Sequence, residues 1–203
     1  MKYPLEILLN RYKAKRNFED AKSMQAYMKG KFSYLGIRSP ERRAMNRSFF
    51  KEYGKPGKEE LNRIVHLLYD SEFREYHYLA MDIAAFFKKK WDFEDIDIIE
   101  FMMLNHSWWD TIDFIASHLI GSYLIKFPER TLELNNEYIA HDSFWVRRVA
   151  ILFQLKFKDK LNSNLMKSNI LKCAHEREFF IEKAIGWILR EYSKTQPDWV
   201  RKF

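Results

Sequence analysis

From Asn105 to Ala116 the chain reads Asn-His-Ser-Trp-Trp-Asp-Thr-Ile-Asp-Phe-Ile-Ala, its richest run of side chains able to do chemistry. Asp113 stands out. It lies beyond the first turn of a helix opening at Trp109, where neither capping nor the helix dipole supports a carboxylate, and it shares the stripe running from Trp109 to Ala116. A carboxylate on such a stripe needs a partner. Spacing favours an arginine of a neighbouring helix, Arg148, in a structural ion pair; the alternative is a cationic ligand facing the acid. Asp110, three residues after Ser107, reads instead as half of a capping pair.

Two more ring and charge pairs follow at helical-neighbour spacing, Trp145 with Arg148 and Trp187 with Arg190. One such pair is ordinary core packing, because an indole buries a large area. Three in consecutive repeats could line one cleft with a carboxylate and guanidinium groups. The basic clusters Arg147, Arg148, Lys156, Lys158, Lys160 and Arg38, Arg42, Arg43, Arg47 read as solvated surface or as contacts to phosphates. Taken as phosphate contacts, they suit a duplex in which a damaged, positively charged base meets aromatic faces and an acid.

Helices must position these groups. The chain has 6 Gly and 5 Pro, with 3.6-period apolar stripes between them and no convincing strand alternation. Ser39-Pro40-Glu41 reads as an N-cap followed by proline at the first helical position, Gly54-Lys55-Pro56-Gly57 as a loop before a helix near Lys58, and Phe127-Pro128-Glu129 as another helix start. Helix openings recur at Phe73, Trp109, Trp145 and Phe180, close to a 36-residue period, and seven residues further on stand Ala80, Ala116, Leu152 and Trp187. Two helices per period is the pattern of HEAT and armadillo repeats. The expected fold is therefore all-α: a superhelical stack of antiparallel helix pairs, an α-α solenoid with a concave face, forming a single domain over residues 1–203.

Composition agrees with one soluble domain. The 203 residues are 47% hydrophobic and 31% charged, which excludes intrinsic disorder and collagen-like chains. The net charge of +7 is unevenly spread, at +10 over residues 1–58, −10 over 59–143 and +7 over 144–203. Basic ends around an acidic middle suit a chain that holds a polyanion with its termini. The N-terminus has no secretory core, and the most apolar stretch, Thr111 to Ile125, is too short and too interrupted to span a bilayer. The single cysteine, Cys173, allows no internal disulfide and fits a reducing cytoplasm. No two histidines stand at the i,i+4 spacing of a helical zinc site, so no metal is expected.

Four ordered motifs carry a resemblance. Ala26-Tyr27-Met28-Lys29 with Phe32-Ser33-Tyr34-Leu35-Gly36-Ile37, then Ser107 to Asp113, Trp145 to Leu152 and Phe179 to Glu191, together resemble the AlkD-like DNA alkylation repair family over nearly the whole chain. The resemblance implies a HEAT-like repeat superhelix that binds duplex DNA containing alkylated bases in its concave face. It also implies glycosylase action on cationic alkylpurines such as 7-methylguanine and 3-methyladenine. By motif position the catalytic carboxylate falls on Asp113, the cleft tryptophans on Trp109 and Trp187, and the central arginine on Arg148. Tyr27, Lys156 and Arg190 stand as cleft or backbone contacts, and Arg38 where a polar group near DNA is expected. The family continues past Phe203 into a further helical segment, which leads us to expect weaker DNA binding here.

The chemistry also follows from first principles. A purine alkylated on a ring nitrogen is already cationic and leaves without a general acid. A fixed carboxylate need only stabilise positive charge growing on the sugar, an effect of roughly 2.7–4 kcal/mol by analogy with other preorganised charges. Neutral lesions such as uracil are expected to be poor substrates, and nothing marks a lysine for lyase chemistry. The expected protein is a monomeric, cytoplasmic, monofunctional glycosylase without metal or cofactor. The competing readings are a non-catalytic repeat protein that binds damaged DNA, and a scaffold that docks a protein partner on its acidic middle third.

Overall fold

A computed structural model describes residues 3–203. Their regular structure is entirely helical, apart from one isolated parallel bridge between Ser33 and Phe73. The chain divides into two compact units, one ending at Phe87 and the other starting at Lys88.

The first unit holds α1 (Leu5–Ala14), α2 (Phe18–Tyr27), α3 (Ser39–Tyr53), α4 (Leu61–Tyr69) and α5 (Arg74–Ala84). Helix α2 starts where the Asn17 side chain accepts from the Asp20 amide, with Glu19 and Asp20 in the first turn. In α4, Leu61, Ile64, Val65 and Leu68 are all buried, the i, i+3, i+4, i+7 stripe that seats it on α5. Residues 34–37 of the segment linking α2 to α3 are buried although they are not helical, so their amides need acceptors. Glu75 of α5 supplies them: its fully buried carboxylate accepts from the amides of Leu35 (3.0 Å), Gly36 (2.9 Å) and Ile37 (3.1 Å). Gly36 is required there, because its φ is +87° and a Cβ would lie 1.9 Å from the Asn17 carbonyl oxygen.

The second unit holds α6 (Ile96–Leu104), α7 (Trp109–Phe114), α8 (Gly121–Lys126), α9 (Thr131–Ala140), α10 (Phe144–Leu152), α11 (Ser163–Cys173), α12 (Phe179–Tyr192) and α13 (Pro197–Lys202). Helix α10 is central, packing against α7, α9, α11 and α12. Reciprocal amide bonds join Asn135 of α9 to Asn169 of α11 at 3.1 and 2.6 Å, and Asn169 also donates to the Ala150 carbonyl of α10 at 2.8 Å. All of these groups are buried and each is satisfied, which avoids the roughly 1–3 kcal/mol cost of an orphaned one.

The repeat anchors fall on equivalent helix starts. Phe73 precedes α5, Trp109 opens α7, and Trp145 and Phe180 are the second residues of α10 and α12. Seven residues on, Ala80, Ala116 and Leu152 are fully buried while the indole of Trp187 is partly exposed. Two local expectations are corrected. Ser107 does not cap α7: its hydroxyl donates to the Met103 carbonyl at 2.6 Å, and the cap position falls one residue later on Trp108. The cap position of α3 falls on Arg38 and not on Ser39: Arg38 is extended, makes no side-chain cap, and its carbonyl accepts the first helical bond from the Arg42 amide, so Pro40 is the second helical residue and not the first.

Candidate active site

The site is built where α7, α10 and α12 meet. A ring cluster fixes that junction. Trp145 of α10 lies 5.3 Å from Trp108 and 4.8 Å from Phe180 of α12, and Trp108 lies 5.4 Å from Phe180, in tilted or edge-on contacts. Trp145 is thus part of the packing that holds the three helix starts together, as the core reading of an isolated tryptophan predicts.

On this platform Arg148 and Asp113 form a forked pair. Arg148 donates from Nε to Asp113 Oδ1 at 2.7 Å and from Nη2 to Oδ2 at 2.9 Å, while its Nη1 donates to the Phe180 carbonyl. Their side chains are 5% and 18% exposed. Such a fork fixes the plane of the carboxylate as well as its position. Each Asp113 oxygen spends one lone-pair direction on Arg148 and retains another. Burial pushes the Asp113 carboxyl above its ordinary range, with Asp110 adding to the shift, while the hydrogen bonds and charge of Arg148 pull the other way.

Asp113 also sits at a break in helix regularity. The turn that follows it, Ile115–Ile120, is π-helical and is continued by α8. The Ser117 hydroxyl donates to the Asp113 carbonyl at 2.7 Å. A π turn inside an α-helix re-aims the side chains that follow it and is a frequent mark of a functional site. No residue-type signal in the sequence foretells it.

Beside the pair opens a cavity of about 490 Å³ lined by Arg148, Glu182, Lys183, Gly186, Trp187 and Arg190. The structure therefore brings Asp113, Arg148, Trp187 and Arg190 together. Trp109, one helical turn before Asp113 on α7, is partly exposed. Arg148 is enclosed by its own partners, whereas Arg190 is exposed. Lys156 is also exposed and lines a different cavity of the same unit. Tyr27 and Arg38 belong to the first unit: Tyr27 is 72% exposed, and Arg38 is an exposed residue paired with Asp20 at 2.6 Å. Sequence reasoning missed the Phe180 carbonyl, a backbone acceptor that no residue type announces, and the part played by Trp108 in the ring cluster. Among the described residues no three His, Cys, Asp or Glu side chains are grouped to hold a metal ion, and no helix is long and apolar enough to cross a membrane.

The chain is thus helical, with a forked acid–arginine pair beside an indole-lined cavity that carries more basic than acidic side chains. Residues 8–203 match the family model described as DNA alkylation repair enzyme. The chain belongs to that family. A solved structure described as a predicted DNA alkylation repair enzyme from Enterococcus faecalis is 36% identical, with a TM-score of 0.84, covering 93% of this chain and 88% of that one. The search of curated proteins gives no match.

Proposed function

We propose that this protein is a monofunctional DNA glycosylase that hydrolyses the N-glycosidic bond of cationic alkylated purines, 7-methylguanine and 3-methyladenine, in duplex DNA. The observation that carries the reading is the buried, oriented Asp113 carboxylate at the edge of a cavity lined by Trp187 and Arg190. A cationic purine is a ready leaving group, so the barrier lies in the positive charge that develops on the deoxyribose as the bond breaks. A carboxylate already fixed in place stabilises that charge without reorganising, and the free lone pairs of Asp113 also serve to orient the attacking water.

Arg148 acts here as a positioning residue. Its three donor nitrogens are engaged by Asp113 and the Phe180 carbonyl, so its contribution runs through the plane of the carboxylate. Trp109 and Trp187 present ring faces to the cationic base, an attraction of about 0.5–2 kcal/mol each. Arg190 and Lys156, with Tyr27 and Arg38 of the first unit, contact the DNA. The reaction as proposed needs no metal or cofactor, and the protein acts as a cytoplasmic monomer.

One observation favours a second reading. Both Asp113 oxygens are bonded to Arg148, which is what a purely structural pair in a non-catalytic DNA-damage-binding protein would show. The experiment that separates the two measures free 7-methylguanine and 3-methyladenine released from methylated duplex by wild type and by Asp113→Asn. The enzyme reading expects release that falls at least a hundredfold in the variant. Duplex binding without release by either protein would leave the binding reading.

A further inference from the structure

The helical face that begins at Asp113 continues through Ser117 to Gly121, and a second cavity of about 520 Å³ opens there. Its walls come from three separate stretches of the second unit. Lys88 and Lys89 arrive from the turn after Phe87, His118 and Lys126 from the helix over residues 109–126, and Lys156 and Phe157 from the segment after α10. Gly121 lets the last two of these meet. A Cβ at that position would lie 2.6 Å from the Phe153 carbonyl oxygen and 3.4 Å from the Phe157 ring, so only glycine allows α8 to approach the end of α10 this closely.

Four lysines line this cavity and no carboxylate does. Lys126 is occupied, donating to the Trp91 carbonyl. Among the described residues Lys88, Lys89 and Lys156 form no ion pair. His118 is held in place: its ring stacks on Phe114 at 4.4 Å and its Nδ1 lies 3.1 Å from the Ser117 hydroxyl. Burial first, and then the charges of Lys156 and Lys88, lower its pKa below the usual histidine range, while the Phe114 carbonyl opposes this. Lysines from different parts of the chain thus act on one point. Gathered positive charge without a counter-charge opposes folding, and an anion placed among the lysines reverses that sign.

We propose that this cavity is a phosphate site, separate from the Asp113–Trp187 cleft, at which Lys88, Lys89 and Lys156 grip a phosphodiester of the bound DNA strand. The proposal rests on the reading of DNA as ligand and extends the contact already assigned to Lys156 to Lys88 and Lys89, which lie outside the motifs of the family. At about 1.5 Å per residue, Gly121 lies at most ~12 Å along the helix from Asp113, and the π turn between them shortens this. At ~3.4 Å per nucleotide that is a reach of no more than three to four nucleotides. The contact would anchor the strand a few nucleotides from the lesion, independently of what base is damaged.

The test measures affinity for an unmodified duplex dodecamer by fluorescence anisotropy over a series of KCl concentrations. Three proteins are compared: wild type, Lys88→Gln/Lys89→Gln, and Lys172→Gln/Lys202→Gln, which loses the same two charges elsewhere. The site predicts that the first variant binds about tenfold more weakly at 0.1 M salt and that the slope of log K against log[salt] flattens by about 0.9, one phosphate's worth. The second variant should keep the wild-type slope. Equal slopes in all three, or equal flattening in both variants, overturns the proposal. If wild type binds no duplex, the DNA reading has failed rather than the cavity. The His118 Cε1 proton, titrated by NMR with and without inorganic phosphate or deoxyadenosine monophosphate, then decides. A His118 pKa raised by phosphate in wild type and unmoved in Lys88→Gln/Lys89→Gln supports a phosphate site for a small ligand, and no response in wild type excludes one.

Discussion

Each unit of the molecule buries one arginine against an aspartate of another helix, and the two pairs have different surroundings. In the first unit Arg42 of α3 reaches Asp82 of α5 at 2.6 Å, with side chains 6% and 32% exposed. Asn46 donates to the same Asp82 oxygen at 3.2 Å, Tyr12 donates to Asn46 at 2.6 Å, and the Tyr78 ring lies 5.1 Å from the guanidinium. In the second unit the Arg148–Asp113 fork is at least as buried, but it borders an open cavity with an indole and a second arginine on its wall. Arginine, carboxylate and burial are common to both. What marks the second pair is the cavity beside it, which leaves space for a ligand.

The comparison breaks first on stability. Removing Arg148 orphans a carboxylate with little access to water, so Arg148→Ala should cost about 3–5 kcal/mol of unfolding free energy. Arg42→Ala should cost less, because Asp82 keeps Asn46 and more solvent. Urea unfolding of the two variants checks the order, and an equal loss would mean that the open cavity hydrates Asp113 fully. The next effect is on rate. Asp113→Asn should lower single-turnover release of 7-methylguanine by at least a hundredfold, the size of one preorganised charge. Asp82→Asn should lower the melting temperature and leave the rate per folded molecule unchanged. If both substitutions slow the reaction alike, the two pairs are equivalent and Asp113 has no special role. Trp187→Ala should be milder still, costing about 0.5–2 kcal/mol of transition-state stabilisation for cationic lesions.

Residue spacing along the chain reveals much of this arrangement but does not rank its parts. The anchors at Phe73, Trp109, Trp145 and Phe180 gave the helix starts, because a bulky residue at the head of each second helix is what repeat packing requires. The partnership of Asp113 with Arg148 was also legible, since a carboxylate on an apolar stripe has few other options. Asp82 passed unnoticed for a physical reason: the network around it is assembled by Tyr12, Asn46 and Arg42 from two other helices, and no local spacing joins them. Glu75 escaped for a similar reason. It is fully buried at a helix start and is satisfied by three backbone amides about 40 residues away. The π turn after Asp113 left no trace in residue type, and Trp145, read as one of three cleft rings, joins the ring cluster at the helix junction because its neighbours Trp108 and Phe180 come from separate repeats.

The gentlest way to sharpen the comparison changes no residue. Burial raises the Asp113 carboxyl above its usual value of 3.8, so as pH falls the acid is protonated earlier than an ordinary aspartate. The folded state then binds a proton that the unfolded state does not, and between the two pKa values this term makes stability fall as pH rises. Activity should move in the opposite direction, because only the anion stabilises a growing positive charge. The rate of 7-methylguanine release should therefore drop on acidification with a midpoint above 3.8, over a range in which circular dichroism shows the helices intact. A rate that stays level down to ordinary aspartate pH would mean that the Arg148 fork outweighs burial. A rate that falls only together with the helices would mean that acid acts on the fold and not on Asp113.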